Sequence, residues 1–143
     1  MRFVLDASVT LSWLLRDTAA RDEGYPLAVL NALRDPSTAA TVPMTWGLEI
    51  ANVIARSEAK DLVTAAQSGS FIALLEGIPI EVDSETFTQV LGDTLQLSRR
   101  YKLSSYDASY LELALRNGAP IATLDDDLRR AATKAGVKLF KPA

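Results

Sequence analysis

The stretch Phe3-Val4-Leu5-Asp6-Ala7-Ser8 decides the fold. Three apolar residues run without alternation and stop on a carboxylate. A short, wholly apolar run is the signature of a strand buried on both faces, as in a parallel sheet covered by helices. Ser8 suits the N-cap of the helix that follows, expected over Val9 to Arg16, and Asp17 to Gly24 reads as a polar loop.

The same alternation continues outward. Pro26 opens a helix to about Leu33, and Asp35-Pro36-Ser37 stops it. Further strands are predicted at Thr41-Val42-Pro43, Ile80-Glu81-Val82, Ile121 to Leu124 and Val137 to Phe140. Helices are predicted from Thr45, as its cap, to about Glu58, and over Thr64 to Leu75, Ser84 to Tyr101, Ser104 to Arg116 and Asp126 to Ala135. Asn117-Gly118 and Gly136 end the last two. The expected fold is a three-layer α/β/α domain with a short-stranded, mainly parallel sheet.

Length and composition agree. The 143 residues are 48% hydrophobic and 23% charged, which suits one domain with a real core. No apolar run is long enough for a membrane span, and a carboxylate by position 6 argues against a signal peptide. The net charge of −3 hides an asymmetry: residues 1–127 hold ten basic and eighteen acidic residues, whereas residues 128–143 hold five basic residues and no acid. The chain has no cysteine and no histidine. Disulfides, thiolate catalysis, the usual zinc sites and histidine acid–base chemistry are therefore excluded. Absent cysteine fits a reducing cytosol, and a cytoplasmic location is expected.

Chemistry is left to carboxylates, and four occupy unusual places. Asp6 ends the first strand, and Asp125 lies just past the Ile121 to Leu124 strand. Glu49 and Asp107 fall early in helices, the former entered directly from a strand. Ligands of open parallel sheets bind outside the carboxyl ends of the strands, so all four can converge on one cleft. Each also has a structural alternative. Asp107 completes a Ser-x-x-Asp pattern with Ser104, Asp125 or Asp126 suits an N-cap, and first-turn acids favour the helix dipole. Asp6 is hardest to explain structurally, because a buried carboxylate needs a partner. Gathered acids repel one another unless protonated or bound to a cation. With only oxygen donors, Mg²⁺ or Mn²⁺ is the expected ion, suited to metal-assisted attack on a phosphodiester.

In order along the chain stand Phe3 to Ser8, Trp46-Gly47-Leu48-Glu49-Ile50-Ala51-Asn52-Val53, Ser105-Tyr106-Asp107-Ala108-Ser109-Tyr110-Leu111-Glu112-Leu113-Ala114, and Ala122-Thr123-Leu124-Asp125. This set resembles the PIN-domain ribonucleases, most closely VapC-type toxins of toxin–antitoxin pairs, over essentially residues 1–143 as a single domain. The resemblance implies that Asp6, Glu49, Asp107 and Asp125 form the acidic quartet that holds Mg²⁺ or Mn²⁺. Ser8 and Thr123 match hydroxyl residues beside that quartet. Asn52, at i+3 from Glu49, suits bracing that carboxylate or satisfying backbone groups. Asp127 suits a second ion or the helix dipole.

The resemblance further implies hydrolysis of transfer, ribosomal or messenger RNA, a homodimer, and a cognate antitoxin. Arg129, Arg130 and Lys134 are candidates to hold the RNA backbone, as are Arg99, Arg100 and Lys102, although solvated helix faces are the favoured explanation of these basic clusters. Val9 to Leu15, Pro26 to Leu30 and Phe71 to Leu75 offer apolar faces for partners or for the core. Trp13 and Trp46 are expected in the core. Two alternatives carry different chemistry. A non-catalytic binding module needs no acidic cluster. An aspartate-based phosphotransfer domain of the dehalogenase type expects an acid at position 8, where Ser8 stands, and a receiver expects an acidic pair on the first strand. A DNA-directed nuclease is barely distinguishable by sequence.

Overall fold

A computed structural model describes residues 1–15 and 24–143. Arg16 and the expected loop from Asp17 lie largely outside the described residues. The element order is β1 (Arg2–Leu5), α1 (Ala7–Ser12), α2 (Gly24–Ala32), β2 (Ala39–Val42), α3 (Trp46–Ala59), α4 (Ala65–Glu76), β3 (Ile80–Val82), α5 (Thr86–Gln89), α6 (Leu95–Tyr101), α7 (Ser105–Asn117), β4 (Ile121–Ala122) and α8 (Asp126–Ala135). The sheet runs β3-β2-β1-β4 with every pairing parallel, as expected for a three-layer α/β/α domain.

The pleat of β1 sorts the core into two faces. Val4 joins Tyr110, Leu111, Ile121 and Leu128 on the face covered by α7 and α8. Phe3 and Leu5 point the other way, to Val9, Val29, Val42 and Phe140. Phe3 and Phe140 stack with ring centroids 3.9 Å apart and planes 11° from parallel. Ala7, Ile50, Ile54 and Phe71 form a smaller cluster beneath α1, α3 and α4. Trp46 packs against all three clusters, and Trp13 against two of them, in keeping with the core role expected of both.

Four expectations need correction. Helix α1 begins at Ala7, so Asp6, not Ser8, holds the N-cap position, and the Asp6 side chain makes no cap bond. The Ser8 hydroxyl is instead turned toward the sheet edge. The single helix expected over Ser84 to Tyr101 breaks at Gly92, whose φ −106°, ψ −108° is not helical, within a wide-turn segment Val90–Thr94. Glycine accepts such a backbone without a side-chain penalty. Val137 to Phe140 forms only one parallel bridge, Leu139 to Ile121, rather than a strand. Pro142 follows and has no N–H with which to extend a ladder. Thr45 precedes α3 but makes no cap bond, because its own backbone is helical. By contrast, Thr64 and Gln67 form a full capping box on α4, and left-handed Gly118 and Gly136 close α7 and α8.

A network not apparent in the sequence ties α7 to the end of β3. Arg116 forks onto Asp83 at 2.7 and 3.0 Å and onto the buried Glu112 at 2.7 and 3.0 Å. Thr86 donates to the same Asp83 carboxylate at 2.7 Å. These bonds hold the Asp83 carboxyl below its ordinary range. None of the helices among the described residues is long and apolar enough to cross a membrane.

Candidate functional site

Asp6 follows β1 directly, and its amide continues the ladder to Ala122 at 2.9 Å. Its carboxylate is buried, at 4% exposure, yet it is satisfied. Ser8 Oγ donates to Asp6 Oδ2 at 2.5 Å and Thr123 Oγ1 donates to the same oxygen at 2.7 Å. Each hydroxyl is oriented by a backbone amide that donates into it. Leu124 N–H meets Ser8 Oγ at 3.0 Å, and Asp125 N–H meets Thr123 Oγ1 at 3.0 Å. With a lone pair of each hydroxyl so engaged, its proton is directed at Asp6. Neither hydroxyl engages Oδ1. Burial raises the Asp6 carboxyl above its ordinary value, the two hydroxyl bonds oppose that rise, and the Asp125 charge adds to it.

Glu49 enters from the first turn of α3 and is half-buried. Tyr110, fully buried on α7, donates its hydroxyl to Glu49 Oε1 at 3.0 Å. Burial first, then the charges of Asp6 and Asp107, push the Glu49 carboxyl up to about 7 against the Tyr110 bond. Asp107 sits in the first turn of α7, where Ser104 accepts its amide at 3.1 Å as N-cap. Burial, then Asp125 and Asp6, push its carboxyl up to about 6. Asp125 caps α8, with Oδ1 accepting Leu128 N–H at 2.8 Å. Its capping role and its place beside the other acids coexist. Four carboxylates from four separate segments thus act on one another at the carboxyl edge of the sheet.

The remaining expected site residues fall as follows. Asn52 is exposed, and the bond to Glu49 comes from Tyr110 instead. Arg129 is half-buried, donates Nε to the Thr123 carbonyl at 2.7 Å and lies over the Tyr25 ring at 5.5 Å. Arg130 is exposed and pairs with Asp127 one turn before it. Asp126 and Asp127 are exposed. Tyr110 was not singled out in the sequence, although its i+3 spacing from Asp107 put both on one face of α7.

The donors are all oxygen, and their mutual repulsion is what a cation relieves. No three acidic side chains among the described residues are drawn close enough to cage an ion by themselves. That arrangement fits a hard divalent ion held by one or two carboxylates, with water completing its shell.

A family model described as the PIN domain matches residues 3–134. The chain belongs to the PIN domain family. PIN domains are generally nucleases. Among solved structures, this PIN domain is similar to PAE2754 from Pyrobaculum aerophilum, with TM-score 0.65 and 18% identity over 92% of this chain and 87% of that one. It is also similar to FitAcB from Neisseria gonorrhoeae, with TM-score 0.60 and 17% identity over 99% of this chain and 98% of that one. At such identities the likeness is one of fold. No curated protein matches the sequence.

Proposed function

We propose that this PIN domain is a Mg²⁺- or Mn²⁺-dependent endoribonuclease, the toxin of a type II toxin–antitoxin pair. The observation that carries the proposal is the Asp6 carboxylate, buried at the end of the central strand, oriented by Ser8 and Thr123, and coupled in charge to Glu49, Asp107 and Asp125. Burial of one carboxylate beside three others raises proton affinity and has no structural benefit that an amide could not supply. The family membership and the sequence likeness to VapC-type toxins support the toxin assignment, with a cognate antitoxin and a second copy of the chain as partners.

The ion would be held among Asp6, Glu49, Asp107 and Asp125, by one or two of them directly and by the others through water. When bound, a divalent ion supplies Lewis acidity toward a phosphoryl oxygen and lowers the pKa of a coordinated water. Ser8 and Thr123 hold Asp6 in one orientation. Tyr110 holds Glu49. Asp107 presents its carboxylate beside Asp6 from the capped end of α7. Arg130 lies one turn into α8 from Asp125 and is exposed to a nucleic-acid backbone, whereas Arg129 packs against the site wall. RNA is the proposed substrate, in single-stranded or looped form, because a phosphate must reach carboxylates that are buried or half-buried at the sheet edge.

The test uses metal-stripped protein with cellular RNA, with and without Mn²⁺ or Mg²⁺, beside Asp6→Asn. Metal-dependent cleavage that is absent in the variant is expected. Equal cleavage by both proteins would show the site to be wrong.

A further inference from the structure

Tyr110 is a fully buried aromatic side chain whose hydroxyl reaches the acidic cluster. Its ring is fully buried in the core cluster with Val4, and its hydroxyl, which the Ala7 backbone also meets, donates to Glu49 Oε1, 61 positions away in the chain. Phenylalanine would fill the same core volume without placing a hydroxyl in need of a partner. The hydroxyl is explained by what it holds.

Glu49 has three rotatable side-chain bonds and stands half-exposed beside Asp6 and Asp107, whose charges repel it. Without a donor on the buried side, that repulsion drives the carboxylate toward solvent. Tyr110 supplies such a donor from a ring locked by packing, and it leaves Oε2 without a hydrogen-bond partner among the described residues. Asp107 and Tyr110 lie three residues apart on one face of α7. The same helix therefore sets where Asp107 stands and where Glu49 is held.

We propose that Tyr110 is a positioning residue that keeps Glu49 within the acidic cluster and so sets how tightly the site takes a divalent cation. The proposal rests on the metal-site assignment made above. It is tested by titrating Mn²⁺ calorimetrically into full-length wild type, Tyr110→Phe, Glu49→Gln and the double variant. Melting in EDTA and circular dichroism serve as checks of folding. Removing an outer partner of a metal ligand weakens binding by about 10–100-fold, and that loss is expected for Tyr110→Phe. In the double variant the tyrosine substitution should add little to Glu49→Gln, because the two act through one bond.

Unchanged Mn²⁺ affinity in folded Tyr110→Phe, or a penalty fully additive with Glu49→Gln, overturns the proposal. No Mn²⁺ binding by wild type removes the metal site itself, and the proposal with it. Should the phenylalanine variant not fold, wild type labelled with 3-fluorotyrosine carries the test. Mg²⁺ must then shift one buried tyrosine resonance, and Glu49→Gln must abolish the shift. Absence of any shift counts against Tyr110 as surely as unchanged affinity does.

Discussion

Thr123 Oγ1 lies 2.7 Å from Asp6 Oδ2, although 117 residues separate the two in the chain. The contact exists because β1 and β4 are parallel neighbours in register, with Leu5 opposite Ala122, so the next residues on each strand meet. The hydroxyl receives the Asp125 amide and gives its proton to Asp6. One threonine thus links the deepest acid to the acid that caps α8.

Thr123→Val keeps the shape and removes both bonds. It leaves the Asp125 amide unpaired and strips one donor from a buried carboxylate. A loss of roughly 1–3 kcal/mol in folding stability is expected by urea denaturation. Mn²⁺ binding should weaken about 10–100-fold. Wild-type affinity in the valine variant would separate Thr123 from the site.

Asp6→Asn removes the charge of the carboxylate that the other three acids surround. The fold should survive, because the amide oxygen still accepts from Ser8 and Thr123. Loss of cleavage should exceed the roughly 10–100-fold typical of outer partners. Metal-free melting should rise rather than fall, since a buried charge and its repulsion are gone. A lower melting temperature would mean that Asp6 serves the fold.

Acidification should stabilise the metal-free protein. Glu49 is raised from its usual 4.5 to about 7, and Asp107 from 3.8 to about 6. Both bind a proton more tightly when folded, so their effect on stability declines as pH rises from the usual values through about 7. Asp83, with its value lowered, acts in the opposite sense, below its usual 3.8. The melting temperature in EDTA should therefore fall as pH rises across 4.5 to about 7, and Glu49→Gln should flatten much of that fall. A melting temperature that climbs with pH over this window would contradict the assigned coupling.

Arg116→Ala should be among the most damaging changes outside the site. It strips both hydrogen bonds from the buried Glu112 and two from Asp83. Breaking a buried ion pair costs roughly 3–5 kcal/mol, and partial exposure of Arg116 puts the expected loss at the lower end. Adding Glu112→Gln should recover part of it. Equal stability of Arg116→Ala and wild type in urea would show the network to be idle.

The legibility of the site followed the nature of each signal. Asp6 could be picked out because an apolar run ending in a carboxylate is a local anomaly. Glu49, Asp107 and Asp125 stood out because each falls just beyond a strand end or in a first helical turn. Tyr110 carries no local signal, since a tyrosine among apolar residues at helical spacing has no mark of polarity. Asn52 shares its i+3 spacing from Glu49 with many solvent-facing residues, and its side chain is exposed. Gly92 sat in an otherwise helical pattern, and only the packing of α5 and α6 on α7 turned it into a break. Nothing near Arg116 in the sequence points to Asp83, which lies 33 positions away and reaches it only through the fold.

Strand and helix periodicities are properties of neighbouring residues, so the sequence by itself determined the α/β alternation, the parallel sheet and the order of acids at strand ends. The absence of histidine and cysteine likewise confined the chemistry to oxygen donors. Which hydroxyl faces Asp6, which phenol holds Glu49, and how far burial lifts each carboxyl depend on strand order, register and helix packing. Those are relations between residues tens of positions apart, and they exist only once the core between the sheet and α7 has closed.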